Sequence, residues 1–573
     1  MHSASVVPVM DKLIIYQIFT RLFGNQNTTN RPNGSRDENG VGKLNDITVD
    51  ALRAIRQFGA THIWFTGIPE HATQTDYSAD GIHPDDARVV KGRAGSPYAV
   101  KDYYDVDPDL AVSVPDRMAE FEALVQRTHA QGLGVITDFV PNHVARQYRS
   151  DAKPAGVADF GQNDDTTVYF SPNNNFYYLP GQTFVSPETR ASAPGEPLHE
   201  YPAKVTGSGS ITATPDINDW YETIKLNYGV NIFDGSHHFD PIPATWHQML
   251  DILLFWADKG IDGFRCDMAH LVPVEFWRWA ISQVRQRYPR LIFIAEIYDP
   301  SLYQAFIFDA GFDYLYDKVG LYDATRRLIE GHGSCYDLTR VWQQESGDFP
   351  QHMLRFLETH DEQRITSRFF ASNPWSAVPG MVLAATMHTG PVLIYFGQEI
   401  GLQAEQAEGF SGDDGRTTIF DYWGLPDWQG WINRGRFDGM GLTDDQRRLR
   451  SFYQQLNHLV NSSNAIQNGY FYDLQYANDN GQSVSYDARQ LYSYLRYTER
   501  QKLLIVCNFS TSNTYDTTIV IPDAAFEAMR LDPAATYVFG DIFSRDDQLE
   551  TVGLAGVPLV LPPQSVRVLE IKV

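Results

Sequence analysis

Eight short apolar runs alternate with longer helix-patterned segments along most of the chain, and that rhythm leaves few folds open. The runs lie at 13–19, 62–68, 134–140, 261–266, 291–295, 312–316, 353–357 and 391–396. Each is continuously apolar, as strands buried on both faces of a parallel sheet are. Strand–helix alternation of this kind builds a parallel α/β sheet, and eight units match a (β/α)8 TIM barrel. A doubly wound sheet produces the same pattern, so the rhythm alone leaves both architectures open.

Two regions break it. Residues 145–243 lack helical periodicity and are rich in Asn, Pro, Gly, Ser and Tyr, which reads as an inserted domain after the third strand. From about 463 the helices stop and alternating strand patterns begin, which predicts a C-terminal antiparallel β-sandwich. The expected division is 1–144 and 244–462 for the two parts of the barrel, 145–243 for the insert with an extra aromatic segment, and 463–573 for the sandwich.

Composition narrows the function. A hydrophobic fraction of 43% with 20% charged residues is that of a globular protein, not a disordered or coiled-coil chain. The net charge of −25, with no basic stripe, argues against nucleic acid and anionic membranes as partners. An aromatic fraction of 13%, including 31 Tyr and 11 Trp, suits flat neutral ligands such as sugars. Cys266, Cys335 and Cys507 are far apart, with no metal-ligand spacing and no disulfide framework. The N-terminus has no basic-then-apolar leader, and the greasiest stretch, 381–396, is broken by His388 and Gly390-Pro391. The expected location is the cytoplasm, or the periplasm or exterior if a leader has been removed. Oligomeric state is not readable.

The C-terminal ends of barrel strands point their side chains into the active site. The third strand ends in Asp138, Asn142 and His143, the fourth in Arg265, Asp267 and His270, the fifth in Glu296, and the seventh in His360 and Asp361. A lone acid after a strand is more often a helix cap or half of an ion pair. Several at equivalent ends, with Arg265 two residues before one of them, point instead to chemistry.

These stretches carry a resemblance. DFVPNH (138–143), GFRCD (263–267), AEI (295–297) and THD (359–361) resemble, in order, four short signatures of the α-amylase superfamily, glycoside hydrolase family 13. TPDIN (214–218) resembles the fifth, SPYAVKDYYDVDP (96–108) the segment after the second strand, and LPPQSVRVLEI (561–571) the closing sandwich. The resemblance implies the barrel rather than the doubly wound sheet. It also implies a retaining α-glucan hydrolase that cleaves α-1,4 bonds of starch or maltooligosaccharides. Asp267 is then the nucleophile, Glu296 the acid/base and Asp361 the transition-state stabiliser, with Arg265, His143, His360, Tyr98 and His270 contacting substrate. The chemistry needs no cofactor. Relatives imply a structural calcium between barrel and insert, with Asn142 as a ligand and Asp164, Asp165 and Asp216 as nearby oxygen donors.

The residues themselves fit that chemistry. Retention needs two carboxyl groups about 5–5.5 Å apart, a separation that adjacent strands supply. Arg265 and Asp267 share a strand face, so the cation favours an ionised nucleophile. Apolar Ile292, Ile294 and Ile297 surround Glu296, which suits an acid that must start protonated. Thr359 departs from the family, which has Asn there. The aromatic segment 218–243, with Trp220, Tyr221, Tyr228, His237 and His238, is also unusual. It adds sugar-binding surface or blocks one end of the cleft, and its paired histidines suggest a metal, although neighbours on an extended chain project apart. The loop 409–428 is expected over the site. A glucanotransferase using the same carboxylates remains a live alternative. A non-catalytic glycan-binding relative is disfavoured by the intact acids.

Overall fold

The computed structural model describes residues 12–188, 198–404, 406–479, 485–544, 548–553 and 556–572. All eight apolar runs form strands: β1 (Ile14–Phe19), β2 (His62–Thr66), β3 (Gly134–Phe139), β4 (Gly263–Cys266), β5 (Ile292–Ala295), β6 (Tyr314–Tyr316), β7 (Met353–Leu354) and β8 (Val392–Tyr395). They pair in parallel in the order β7-β6-β5-β4-β3-β2-β1-β8. A bridge between Arg355 and Val392 joins the two ends, so the sheet closes as a barrel.

Alternation along each strand sorts the side chains. Ile15, Trp64, Ile136, Ile292, Ile294, Leu354 and Leu393 fill the interior, while Ile14, Ile63, Val135, Phe264 and Phe293 face the helices. Among the helices are α1 (Val49–Phe58), α2 (Arg117–Ala130), α3 (Ala244–Asp258), α4 (Val274–Arg287), α5 (Val378–Thr386) and α6 (Asp444–Ser462). Their limits follow local chemistry. The Thr48 side chain caps α1 by accepting from Ala51 N, and Gly59 at φ 105 ends it. Thr443 and Gln446 form a capping box at the start of α6.

Between β3 and α3 the chain leaves the barrel and returns beside itself. Residues His143–Ala145 pair antiparallel with Thr223–Lys225, and a small satellite core of Tyr177, Leu179, Phe184, Ala203 and Val205 lies beyond. Of the resembling TPDIN stretch, Thr214, Asp216, Ile217 and Asn218 are exposed. The segment seated against DFVPNH is 223–225 instead, because the hairpin pairing brings it there.

The C-terminal region is antiparallel. Six strands, Tyr470–Asp473, Leu491–Tyr497, Lys502–Asn508, Ser565–Lys572, Thr536–Asp541 and Gln548–Val552, form one sheet in that order. Tyr515–Ile519 and Val557–Leu561 form a second pair. Leu495, Leu504, Val506 and Leu569 pack with Ile519, Val557, Leu559 and Leu561 as the core between them. The other face lies on the barrel: Tyr494 OH bonds Thr386 Oγ1 at 2.6 Å, and Arg496 donates to the Met387 carbonyl at 2.7 Å. All three cysteines are free and buried. Among the described residues no helix is long and apolar enough to cross a membrane.

Candidate active site

Inward alternation carries Ile136 to Asp138, Gly263 to Arg265 and Asp267, and Ile294 to Glu296. The strand register sets Arg265 beside Asp138 on one neighbour and Ile294 on the other. The acids therefore gather around one guanidinium. Arg265 Nη1 lies 2.8 Å from Asp267 Oδ1 and 3.4 Å from Asp138 Oδ1; Nη2 lies 2.8 Å from Glu296 Oε2 and 3.9 Å from Asp361 Oδ2. Trp64, Tyr98 and Tyr316 rings surround the same cation. This wall excludes water and strengthens each charge interaction.

Asp267, Glu296 and Asp361 line one cleft of about 310 Å³ with Tyr98, His143, Met268 and Tyr298. Burial and the neighbouring Glu296 push the Asp267 carboxyl up, with Arg265 pulling the other way. Asp361 behaves differently. Burial alone would raise it, but His360, 3.0 Å away, and then Arg265 and Arg416 hold it at about 2. Glu296 is oriented from two sides: Oε2 accepts from Met268 N at 2.8 Å, and Oε1 accepts from the Tyr298 hydroxyl. Met268 reaches its carboxylate from the left-handed region, at φ 44.

The histidines are set by what binds their far nitrogens. Gln17 Nε2 donates to His360 Nδ1 at 2.8 Å, leaving Nε2 toward Asp361 and Tyr98 OH. Asn142 Nδ2 donates to His143 Nδ1 at 3.0 Å, leaving Nε2 4.0 Å from Asp267. Burial, then Lys225 and Lys91, depress His143 to about 3, so its imidazole is neutral. Tyr98 lies stacked on His360, with ring centroids 5.2 Å apart. His270 lies outside that cleft, hydrogen-bonded to the Glu296 backbone and packed against Tyr298, on the wall of a second cavity of about 370 Å³.

The expected calcium ligand has another partner. Asn142 Oδ1 accepts from Lys225 Nζ at 2.6 Å and Asn142 Nδ2 donates to Gly207 O, so an ammonium takes the amide oxygen a metal would need. The carboxylate of Asp164 accepts from Asn175 N, Phe176 N and Tyr178 OH, that of Asp165 from Thr167 N and Oγ1, and that of Asp216 from Asn218 N. These residues do not fit a calcium at that place. Among the described residues, the group with metal-ligand spacing is Glu70, Asp105 and Asp151, whose oxygens lie within 4.8 Å of one another with Arg117 Nη2 between them. His237 and His238 do not converge: His238 bonds Ser236 and packs on Phe170, while His237 lines the second cavity.

Of the extra aromatics, Tyr221 and Tyr228 are core residues, and Trp220 alone lines the cleft, tilted against His143. The loop after β8 lies over the site as barrel geometry requires, with Ile419 and Phe420 in the cleft wall and Arg416 Nε donating to Asp361 O. Thr359 Oγ1 accepts from Asp361 N at 3.2 Å, a turn bond that a serine or threonine makes readily. Gln17, Lys91, Glu222 and Tyr298 also serve the site, although no local motif marks them.

A family model described as alpha amylase, catalytic domain, matches residues 17–192 and 241–422. The chain belongs to this α-amylase family of glycosidases, which has transferases among its members. It is 23% identical over 514 residues to "Alpha-amylase MalA" of Haloarcula japonica, covering 87% of this chain and 56% of that protein. Over 95 residues, 15% of this chain and 16% of the relative, it is 40% identical to an alpha-1,4-glucan:maltose-1-phosphate maltosyltransferase of Cereibacter sphaeroides. The chain thus spans about half the length of the first of these relatives. Among solved structures, a noncanonic maltogenic alpha-amylase AmyB from Thermotoga neapolitana shares the fold, with a TM-score of 0.62 at 20% identity over 98% of this chain and 99% of that one.

Proposed function

We propose that the protein is a retaining α-glucan hydrolase acting on α-1,4 bonds of starch or maltooligosaccharides. The observation that carries this reading is the sharing of Arg265 by Asp267 and Glu296, each 2.8 Å from it. One guanidinium touching both favours the short spacing of a retaining pair over the roughly 6.5–9.5 Å of an inverting one. Asp267 attacks the anomeric carbon while Glu296 protonates the leaving oxygen; Glu296 then takes a proton from water, which releases the sugar. Asp361, held ionised, faces the positive charge that develops on the ring. Neutral His143 and, beside Asp361, His360 donate to the ring hydroxyls, and Tyr98 supports its face. The division of the chain at 144, 243 and 462 belongs to the same reading.

A glucanotransferase is the second reading. The cavity beside His270 favours it, because an acceptor sugar held there would compete with water in the second step. A time course on maltoheptaose, resolved by chain length, separates the two. Only shorter products mean hydrolysis, and longer ones mean transfer. Glu296→Gln is expected to lower turnover by about 100- to 10,000-fold; a variant as fast as the parent would remove Glu296 from the mechanism.

A further inference from the structure

The two ends of the cleft are built differently. A general acid protonates the leaving oxygen, so the departing part of a glucan lies on the Glu296 side. On that side Tyr298 of the cleft packs against His270, which lines the second cavity. On the opposite side, three segments from distant parts of the chain converge: Lys91 from the loop after β2, Glu222 from the end of the insert, and Phe420 from the loop after β8.

These segments are stitched together. Ala94 N and Gly95 N donate to Phe420 O at 2.9 and 3.1 Å, Arg93 N to Asp421 Oδ1 at 3.1 Å, and Arg146 N to Glu222 O at 2.9 Å. Lys91 Nζ pairs with Glu222 Oε1 at 2.9 Å, the two side chains being 12% and 6% exposed. The ammonium also lies over the Tyr221 and Phe420 rings. Trp220, in the left-handed region at φ 51, completes the wall beside His143.

One atom of this wall is unfinished. Glu222 Oε2 is buried and accepts no hydrogen bond, a state that is costly for a carboxylate unless a donor arrives. The residue lines the cleft that holds the reacting sugar. The hydroxyls at the non-reducing end of a glucose are donors of the right kind, and Lys91 retains protons to give back to their oxygens. An internal glucose carries its next neighbour on the 4-oxygen and has no 4-hydroxyl to offer.

From this we infer that the Lys91–Glu222 pair is a chain-end reader, which makes the enzyme exo-acting and releases single glucose units from non-reducing ends. The inference rests on the α-glucan reading of the site. The experiment compares p-nitrophenyl maltoheptaoside with the same compound blocked at its non-reducing 4- and 6-hydroxyls by an ethylidene group. The parent is expected to cleave the free compound, with glucose as first product, and the blocked one at least about 100-fold more slowly. Lys91→Ala and Glu222→Ala are expected to raise the blocked-to-free ratio, a gain that misfolding cannot produce. Equal cleavage of both compounds by the parent, or internal cuts, overturns the chain-end reader while leaving the α-glucan reading intact. Cleavage of neither compound overturns both.

Discussion

At the scale of single residues, the cluster of acids around Arg265 was legible in the sequence because each follows an apolar strand run, where a lone carboxyl is costly to bury. Lys91 and Glu222 were not, since nothing local marks them and their meeting depends on three loops. Asn142 was legible as a site residue but not in its role, because its partner Lys225 comes from the far end of the insert. Glu70 makes a residue-scale prediction. Burial, then the charges of Asp151 and Asp102, hold its carboxyl up at about 9. Folding therefore takes up a proton. The stabilisation this gives is complete below the ordinary carboxylate range and is lost as pH climbs toward about 9. Glu70→Gln removes that slope, so melting temperatures measured from about pH 5 to 9 should fall less steeply for the variant than for the parent.

At the scale of elements, the strands were readable from continuous apolar runs, and even the short β6 and β7 lay where the rhythm required. The insert was readable only as an interruption. Its hairpin register, which seats 223–225 rather than 214–218 against the barrel, is a long-range pairing that no local pattern encodes. The loop after β2 offers a test. Gly95 has φ 82, and a Cβ there would lie 1.7 Å from Ala72 O. Gly95→Ala must push this loop off Phe420, at a cost of about 1–3 kcal/mol. A lower melting temperature together with faster cleavage of the end-blocked oligosaccharide is expected; a lower melting temperature with unchanged end selectivity would separate the loop from the wall.

At the scale of the molecule, the sandwich is anchored rather than tethered. Arg496, buried where sandwich and barrel meet, donates across the junction to the Met387 carbonyl and, after residue 462, to those of Ala465, Ile466 and Gly469, tying the connecting segment to both. Calorimetry of the parent is expected to show one cooperative transition. Arg496→Ala orphans those carbonyls, each worth about 1–3 kcal/mol when buried unpaired, and is expected to split the transition in two. The charge distribution bears on handling. Four carboxyl groups share one guanidinium at the bottom of the cleft, and the molecule around them carries a net −25. Such a field gathers cations and turns anions away. Protonated amines, Tris buffer and amino sugars among them, therefore compete with the neutral substrate for the cleft, and the apparent KM rises with the concentration of an amine buffer but not with that of an anionic one.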